Sequence, residues 1–209
     1  MKIAVVDDSK FTRMVIKQIL NDLSNTDFCW EAENGKVALE KNTRDPVDLI
    51  ISDLEMPVLD GLQLLKTVIG GEAKTNCLLI SAFHKSNQPK IIDALKAGAI
   101  GFIEKNSLGK GFDINSLKKE IDKYINFLTQ DNILKEEIRA TSLENDLRKP
   151  VVKNRADFIC IIGSAGSLGP IEKILKFTDK IEVPIVIGIH IPIGIEKVLI
   201  NRFNTVVDE

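Results

Sequence analysis

Short apolar runs that alternate with helix-like segments are the feature of this sequence that most constrains its fold. In the first such segment, Phe11, Met14, Val15 and Ile19 recur at the spacing of one helix face. The apolar runs are mostly unbroken, as in strands that helices cover on both faces. The pattern therefore predicts a doubly wound parallel α/β sheet of five strands. The predicted strands are 2–7, 28–33, 47–52, 77–81 and 100–104, and the predicted helices between them are 10–24, 35–44, 61–69 and 88–97.

The second half of the chain indicates a long helix and then a small α/β unit. An apolar helical stripe begins near Ile114 and ends at Leu128. The stripe weakens at 129–132, where Asp131 could cap a new, strongly charged helix over 133–149. After a boundary at 149–156, a strand at 158–162, a helix at about 170–178 and a strand at 184–190 form one βαβ unit. We therefore expect a domain at 1–128, a helical linker at 129–156 and a second α/β segment at 157–209.

Composition excludes several classes of function. The 209 residues carry a formal net charge of −2, and no basic stripe interleaved with aromatics is present, which argues against nucleic acid as a partner. No apolar run approaches the length of a membrane span, and the first residues turn acidic too soon for a signal peptide. The three cysteines are far apart, as in reduced thiols rather than a disulfide frame. These features predict a cytoplasmic protein without membrane insertion.

Polar side chains stand at the carboxyl ends of four predicted strands. Asp7 and Asp8 follow the first strand, and Asp53 follows the third. Ser81 ends the fourth strand, and Lys105 follows the fifth. These strand ends meet at one edge of a parallel sheet, where three carboxylates repel one another unless a hard cation such as Mg²⁺ joins them. The set suits an aspartate that attacks a phosphoryl donor. Each residue alone could also be an ordinary cap, turn or surface residue.

Four segments carry a resemblance to a known family. They read "VVDDSKFTRMVIKQIL", "DLIISDLEMPVLDGLQLL", "LLISAF" and "ALKAGAIGFIEK". Together they resemble the receiver domain of bacterial two-component response regulators over about 1–128. The resemblance implies a flavodoxin-like fold and phosphorylation of Asp53 by a histidine kinase.

The same resemblance implies roles for the other residues at the strand ends. The implied Mg²⁺ ligands are Asp7, Asp8, Asp53 and the backbone carbonyl of Glu55. Ser81 and Lys105 would contact the phosphate, and Phe102 occupies the aromatic switch position of the family.

The loop "GSAGSLG" at 163–169 follows the predicted strand 158–162. Its glycine spacing does not match a dinucleotide-binding loop, and His190 stands where such a site places a ribose-binding acid. In a parallel βαβ unit both strand ends share one edge, so Ser164 could approach His190. A serine nucleophile needs such a base. A tight turn and a hydrogen-bonded buried histidine remain the structural alternative.

A second resemblance covers this region. "ADFICIIGSAGSLGPIEKIL" and "VPIVIGIHIPIGIEKVLINRFN" resemble the start of the catalytic domain of chemotaxis protein-glutamate methylesterases, which place it after a receiver. This implies a Rossmann-like α/β esterase segment with Ser164 as nucleophile and His190 as base. The implied activity is methyl ester hydrolysis and glutamine deamidation on methyl-accepting chemotaxis receptors. Gly163 replaces the usual alanine, Ser167 stands at the second glycine of the family loop, and Glu196 replaces a usual threonine.

The family's third triad residue, an aspartate, lies far downstream of the histidine, and this chain ends at Glu209. We therefore expect a truncated esterase segment with impaired catalysis, and we expect 157–209 to be loosely held, docked on the receiver, or paired with another chain. The predicted function is a chemotaxis response regulator, phosphorylated on Asp53, that controls a methylesterase domain. Its partners would be the chemotaxis histidine kinase and the receptors. The alternative is a phosphorylation-dependent signalling module without catalysis.

Overall fold

The computed structural model describes residues 1–71, 75–82, 86–105, 114–141, 156–164, 167–178, 181–190 and 196–208. Most of the predicted boundary at 149–156 and part of the loop at 163–169 therefore lie outside the described residues. Ser164 and His190 are described by their backbone.

Five parallel strands form the sheet of the first domain. They are β1 (Lys2–Val6), β2 (Asp27–Ala32), β3 (Leu49–Asp53), β4 (Asn76–Ser81) and β5 (Gly101–Glu104). The strand order is β2-β1-β3-β4-β5, and every neighbouring pair is parallel. This is the strand order of a flavodoxin-like fold, in which ligands bind where the order reverses between β1 and β3. The predicted fold class is confirmed.

Five helices accompany this sheet, and side chains cap the first three of them. They are α1 (Lys10–Asn21), α2 (Gly35–Arg44), α3 (Gly61–Ile69), α4 (Gln88–Ala97) and α5 (Ile114–Thr141). The side chains of Ser9, Asn34 and Asp60 accept hydrogen bonds from backbone N–H groups in the first turns of α1, α2 and α3. These bonds satisfy donors that the helix itself leaves unpaired.

Two hydrophobic cores lie on the two faces of this sheet. Alternate strand residues point to opposite faces, so Ala4 and Val6 join one core while Ile3 and Val5 join the other. The first core includes residues of α2, α3 and α4, and the second includes residues of α1 and α5. Because both faces are covered, the strands β1, β3 and β4 are largely apolar, which is the pattern seen in the sequence.

The predicted break at 129–132 is wrong, because α5 continues as one helix from Ile114 to Thr141. Its apolar stripe packs in the second core as far as Leu128, which is 6% exposed. The end of the apolar stripe in the sequence therefore does not mark the end of the helix. Among the described residues, no helix is long and apolar enough to cross a membrane.

A second, two-stranded parallel sheet follows. Its elements are β6 (Ile159–Ser164), α6 (Leu168–Leu175), β7 (Ile185–His190) and α7 (Glu196–Asp208). The predicted βαβ unit is confirmed, but α7 was not predicted. Its signal is present in the sequence, because Leu199, Phe203 and Val206 recur at the spacing of one helix face. Leu199 and Val206 are buried.

The second unit docks on the first through α6 and α4. Leu168 is 1% exposed and belongs to the same hydrophobic core as the α4 residues. The buried carboxylate of Glu172 pairs with Lys96 of α4 at 2.9 Å and with Arg202 of α7 at 3.3 Å. Docking was one of the three arrangements expected for this segment. The pairing matters because a buried carboxylate left alone would be strongly destabilising.

Cys77 supplies a prediction about alkaline pH. This thiol is fully buried in β4, and burial raises its pKa from 9.0 to about 12. As the pH rises, the Cys77 thiol therefore ionises in the unfolded chain before it ionises in the folded one. The free energy of unfolding is highest below the unfolded pKa and falls as the pH rises above it. We expect Cys77 to reduce the free energy of unfolding by roughly 1.4 kcal/mol between about pH 8 and about pH 10. Urea unfolding of the parent and of Cys77→Ala at both pH values measures this difference.

The exposed thiol of Cys160 offers a matched control. Cys160→Ala should keep the parental loss of stability between the two pH values, whereas Cys77→Ala should show a smaller loss. Equal losses in the parent and Cys77→Ala would contradict the assignment.

Candidate functional site

The polar residues predicted at the strand ends lie together at the carboxyl edge of the five-stranded sheet. Strand register places Asp53 opposite Ile80 and Ser81 opposite Glu104, so the ends of β3, β4 and β5 are level. Carboxylate oxygens of Asp7, Asp8 and Asp53 all lie within 4.8 Å of one another. The predicted clustering of these carboxylates is confirmed.

Lys105 bridges two of the carboxylates. Its Nζ lies 2.6 Å from Asp53 Oδ2 and 2.7 Å from Asp7 Oδ2, and the side chain is 14% exposed. Burial by itself lowers the pKa of this amine, but the hydrogen bonds and charges of Asp53 and Asp7 outweigh it and raise the pKa. Lys105 is therefore a fixed positive charge at the site, directed at Asp53.

Asp7 is the most buried of the three carboxylates, at 1% exposed. Its Oδ1 accepts a hydrogen bond from the Ser9 N–H at 2.9 Å. Its Oδ2 is close to Lys105 Nζ, but it lacks a well-directed hydrogen bond within the described part of the chain. Burial raises the pKa of Asp7, although the Lys105 ammonium beside it opposes this. Among the described residues, Asp7 Oδ2 is thus paired with the Lys105 charge and has no well-directed hydrogen bond.

Asp53 lies between these groups and the loop that follows β3. It is 7% exposed, and its Oδ1 accepts a long hydrogen bond, 3.4 Å, from the Glu55 N–H. Ser81 is 2% exposed at the end of β4, and Phe102 is 4% exposed and packed in the first core. One oxygen of Asp53 thus pairs with Lys105, and the other has only a weak partner.

These residues fit a hard divalent cation. Mg²⁺ binds carboxylate and carbonyl oxygens, and Asp7, Asp8 and Asp53 supply three carboxylates at one point. The buried Asp7 Oδ2, with no well-directed hydrogen bond among the described residues, is the kind of acceptor that a cation would satisfy.

One residue at this edge was not predicted. Arg13, in the second turn of α1, donates from Nη1 to the backbone carbonyls of Asp7 at 2.7 Å and Asp8 at 3.3 Å. The sequence offers little signal for this role, since an arginine in a helix is usually a solvated residue.

The second predicted site lies at the matching edge of the two-stranded sheet. Backbone register pairs Ser164 of β6 with His190 of β7, so the two residues end neighbouring strands side by side. A methyl group added at Gly163 would overlap Ser167 Oγ and lie 2.9 Å from Ser167 Cβ. A side chain at position 163 would therefore require Ser167 to shift.

The sequence profile described as "Response regulator receiver domain" matches residues 3–122. The chain belongs to the response regulator receiver family. Its receiver resembles the response regulator domain of Thermotoga maritima CheB, with a TM-score of 0.53 and 31% identity over 60% of this chain and 93% of that one. It also resembles the receiver of NarL from Mycobacterium tuberculosis, with a TM-score of 0.51 and 29% identity over 58% and 93%.

Similarity to curated proteins extends beyond the receiver. A protein-glutamate methylesterase/protein-glutamine glutaminase of Syntrophomonas wolfei is 28% identical over 98% of this chain and 59% of its own length. The protein of the same name from Pyrococcus horikoshii is 30% identical over 98% of this chain and 56% of its own. The chain therefore spans less than two thirds of the length of these relatives. The predicted resemblance to methylesterase response regulators is confirmed, and it includes the unit formed by β6 to α7.

Proposed function

We propose that the receiver accepts a phosphoryl group on Asp53. A carboxylate oxygen of Asp53 attacks the phosphorus of a phosphohistidine or small-molecule donor. The bond from phosphorus to the donor breaks, and the leaving group takes the bonding electron pair. The product is an aspartyl phosphate. The observation that carries this proposal is the contact of Lys105 Nζ with Asp53 Oδ2 at 2.6 Å, within an acidic group, at the carboxyl edge of the sheet.

The surrounding residues have separate roles in this proposal. Lys105 neutralises charge on the phosphoryl oxygens, and the Ser81 hydroxyl donates a hydrogen bond to one of them. Asp7, Asp8, Asp53 and the Glu55 carbonyl would hold Mg²⁺, which would supply positive charge to offset the charge of the phosphoryl oxygens. Phe102 is the aromatic residue whose packing would report the phosphorylated state.

Incubation with acetyl phosphate tests this proposal directly. With Mg²⁺ present, intact mass spectrometry should show one added phosphoryl group, and chelation of the metal should abolish the addition. The reason is that three clustered carboxylates repel an anionic donor unless a cation balances them. An unchanged mass in the presence of Mg²⁺ would reject the proposal.

The whole chain fits a regulator of methylesterase type. We infer that a chemotaxis histidine kinase donates the phosphoryl group in the cytoplasm, and that phosphorylation controls the segment from β6 to α7. The segment from β6 to α7 is included in the similarity to the two relatives described above, whose names give methylesterase and glutaminase activity. Methyl-accepting chemotaxis receptors would be the substrates.

Catalysis by these 209 residues is a separate question. The side-by-side position of Ser164 and His190 favours an esterase site, with Ser164 as nucleophile and His190 as base. A Ser–His site depends strongly on an orienting carboxylate, and these 209 residues span only part of the relatives' length, so we expect them to release little or no methanol from a methylated receptor. Robust release that Ser164→Ala abolishes would show a complete site.

A further inference from the structure

Arg13 connects three polar groups beside the acidic cluster. Its Nη1 donates to the Asp7 carbonyl at 2.7 Å and to the Asp8 carbonyl at 3.3 Å, and its Nε lies 3.4 Å from Glu31 Oε1. The side chain is 12% exposed, although arginine is usually a surface residue. A guanidinium suits this arrangement because its donors have a fixed planar geometry.

Hydrogen bonds fix the N–H, the carbonyl and the Oδ1 atom of Asp7. Its N–H donates to the Ala32 carbonyl at 3.1 Å, and its Oδ1 accepts from the Ser9 N–H at 2.9 Å. Its carbonyl accepts from Arg13, which also reaches the next carbonyl along the chain. Asp8, by contrast, has an exposed side chain. The contact from Arg13 therefore holds the Asp8 carbonyl in this turn.

We propose that Arg13 is a positioning residue that holds the Asp7–Asp8 turn so that both carboxylates face the divalent cation. This inference rests on the proposed function, because it concerns the same metal site. Residues that orient metal ligands without touching the metal affect its affinity about tenfold or more when they are removed.

The direction in which Mg²⁺ affinity changes when Arg13 is removed distinguishes a positioning role from a purely electrostatic one. Arg13 is cationic and lies next to two of the three proposed carboxylate ligands. If only its charge mattered, its removal would reduce repulsion and tighten Mg²⁺ binding. If Arg13 positions the ligands, its removal weakens binding despite the lost repulsion.

The test is Mg²⁺ titration of the full chain, with the dissociation constant read from backbone amide shifts in an NMR spectrum. We expect Arg13→Gln to bind Mg²⁺ about tenfold more weakly than the parent. Arg13→Lys keeps the charge but lacks the planar donors, so we expect an intermediate affinity. Arg44→Gln removes an exposed arginine of α2 and should leave affinity unchanged.

Each outcome decides between the proposals. Equal or tighter Mg²⁺ binding by Arg13→Gln, with a parent that binds Mg²⁺, overturns the role of Arg13 alone. A parent that binds no Mg²⁺ overturns the metal site and the positioning role together. If Arg13→Gln does not fold, Arg13→Lys decides: weaker binding than the parent supports positioning, and equal or tighter binding rejects it.

Discussion

Asp53→Asn is expected to gain no phosphoryl group under conditions in which the parent gains one. The amide keeps the size of the side chain but lacks the anionic oxygen that attacks phosphorus. Lys105 keeps its contact with Asp7, so the geometry of the site is largely retained. Intact mass spectrometry after incubation with acetyl phosphate and Mg²⁺ measures the result.

Asp93→Asn is the matched control for this loss. Asp93 lies exposed on α4, away from the cluster, and receives the same chemical change. It should be phosphorylated as the parent is. Phosphorylation of Asp53→Asn at the parental level would place the acceptor elsewhere, with Asp7 and Asp8 as the next residues to test.

Gly61→Ala is expected to disrupt the receiver, because α3 begins against the backbone that carries Asp53. A methyl group at this position would overlap the Asp53 carbonyl oxygen and lie 2.9 Å from Leu54 Cα. The backbone cannot move aside as a flexible side chain would, and the Gly61 N–H already donates to the Leu54 carbonyl at 3.0 Å. We expect a loss of about 3 kcal/mol in the free energy of unfolding. Urea unfolding followed by circular dichroism measures it.

Gly188→Ala provides the comparison. No heavy atom of the described residues lies within 4 Å of a methyl group placed there, so we expect a change of about 0.5 kcal/mol or less. Similar stabilities for the Gly61→Ala and Gly188→Ala variants would show that α3 can move away from Asp53 at little cost.

The receiver fold could be predicted from the sequence because local and long-range signals agree. Most strands are apolar runs, and polar residues stand at their carboxyl ends along one edge of the sheet. Because the carboxyl ends of parallel strands share one edge, the same pattern predicts that Asp7, Asp53 and Lys105 lie together. The short helices were equally predictable, since caps such as Ser9 and Asp60 mark their first turns.

Other features depend on contacts that sequence periodicity does not report. The helix α5 continues past Leu128, where the apolar stripe in the sequence ends, so the end of a stripe is a poor marker of a helix end. Arg13 contacts backbone carbonyl groups of the neighbouring turn. Every residue carries such a carbonyl, so the sequence does not indicate which ones an arginine will reach. The pairing of Glu172 with Lys96 joins residues far apart in the chain.

Because α6 packs against α4, the second unit competes with any other protein that would bind this face of α4. Leu168 and Glu172 pack against α4 near Lys96, and their local concentration there is high because they belong to the same chain. Another protein that binds the same face of α4 must first displace α6. Its measured affinity is reduced by the fraction of molecules in which that face is free. The isolated receiver should therefore bind such a protein more tightly than the whole chain does.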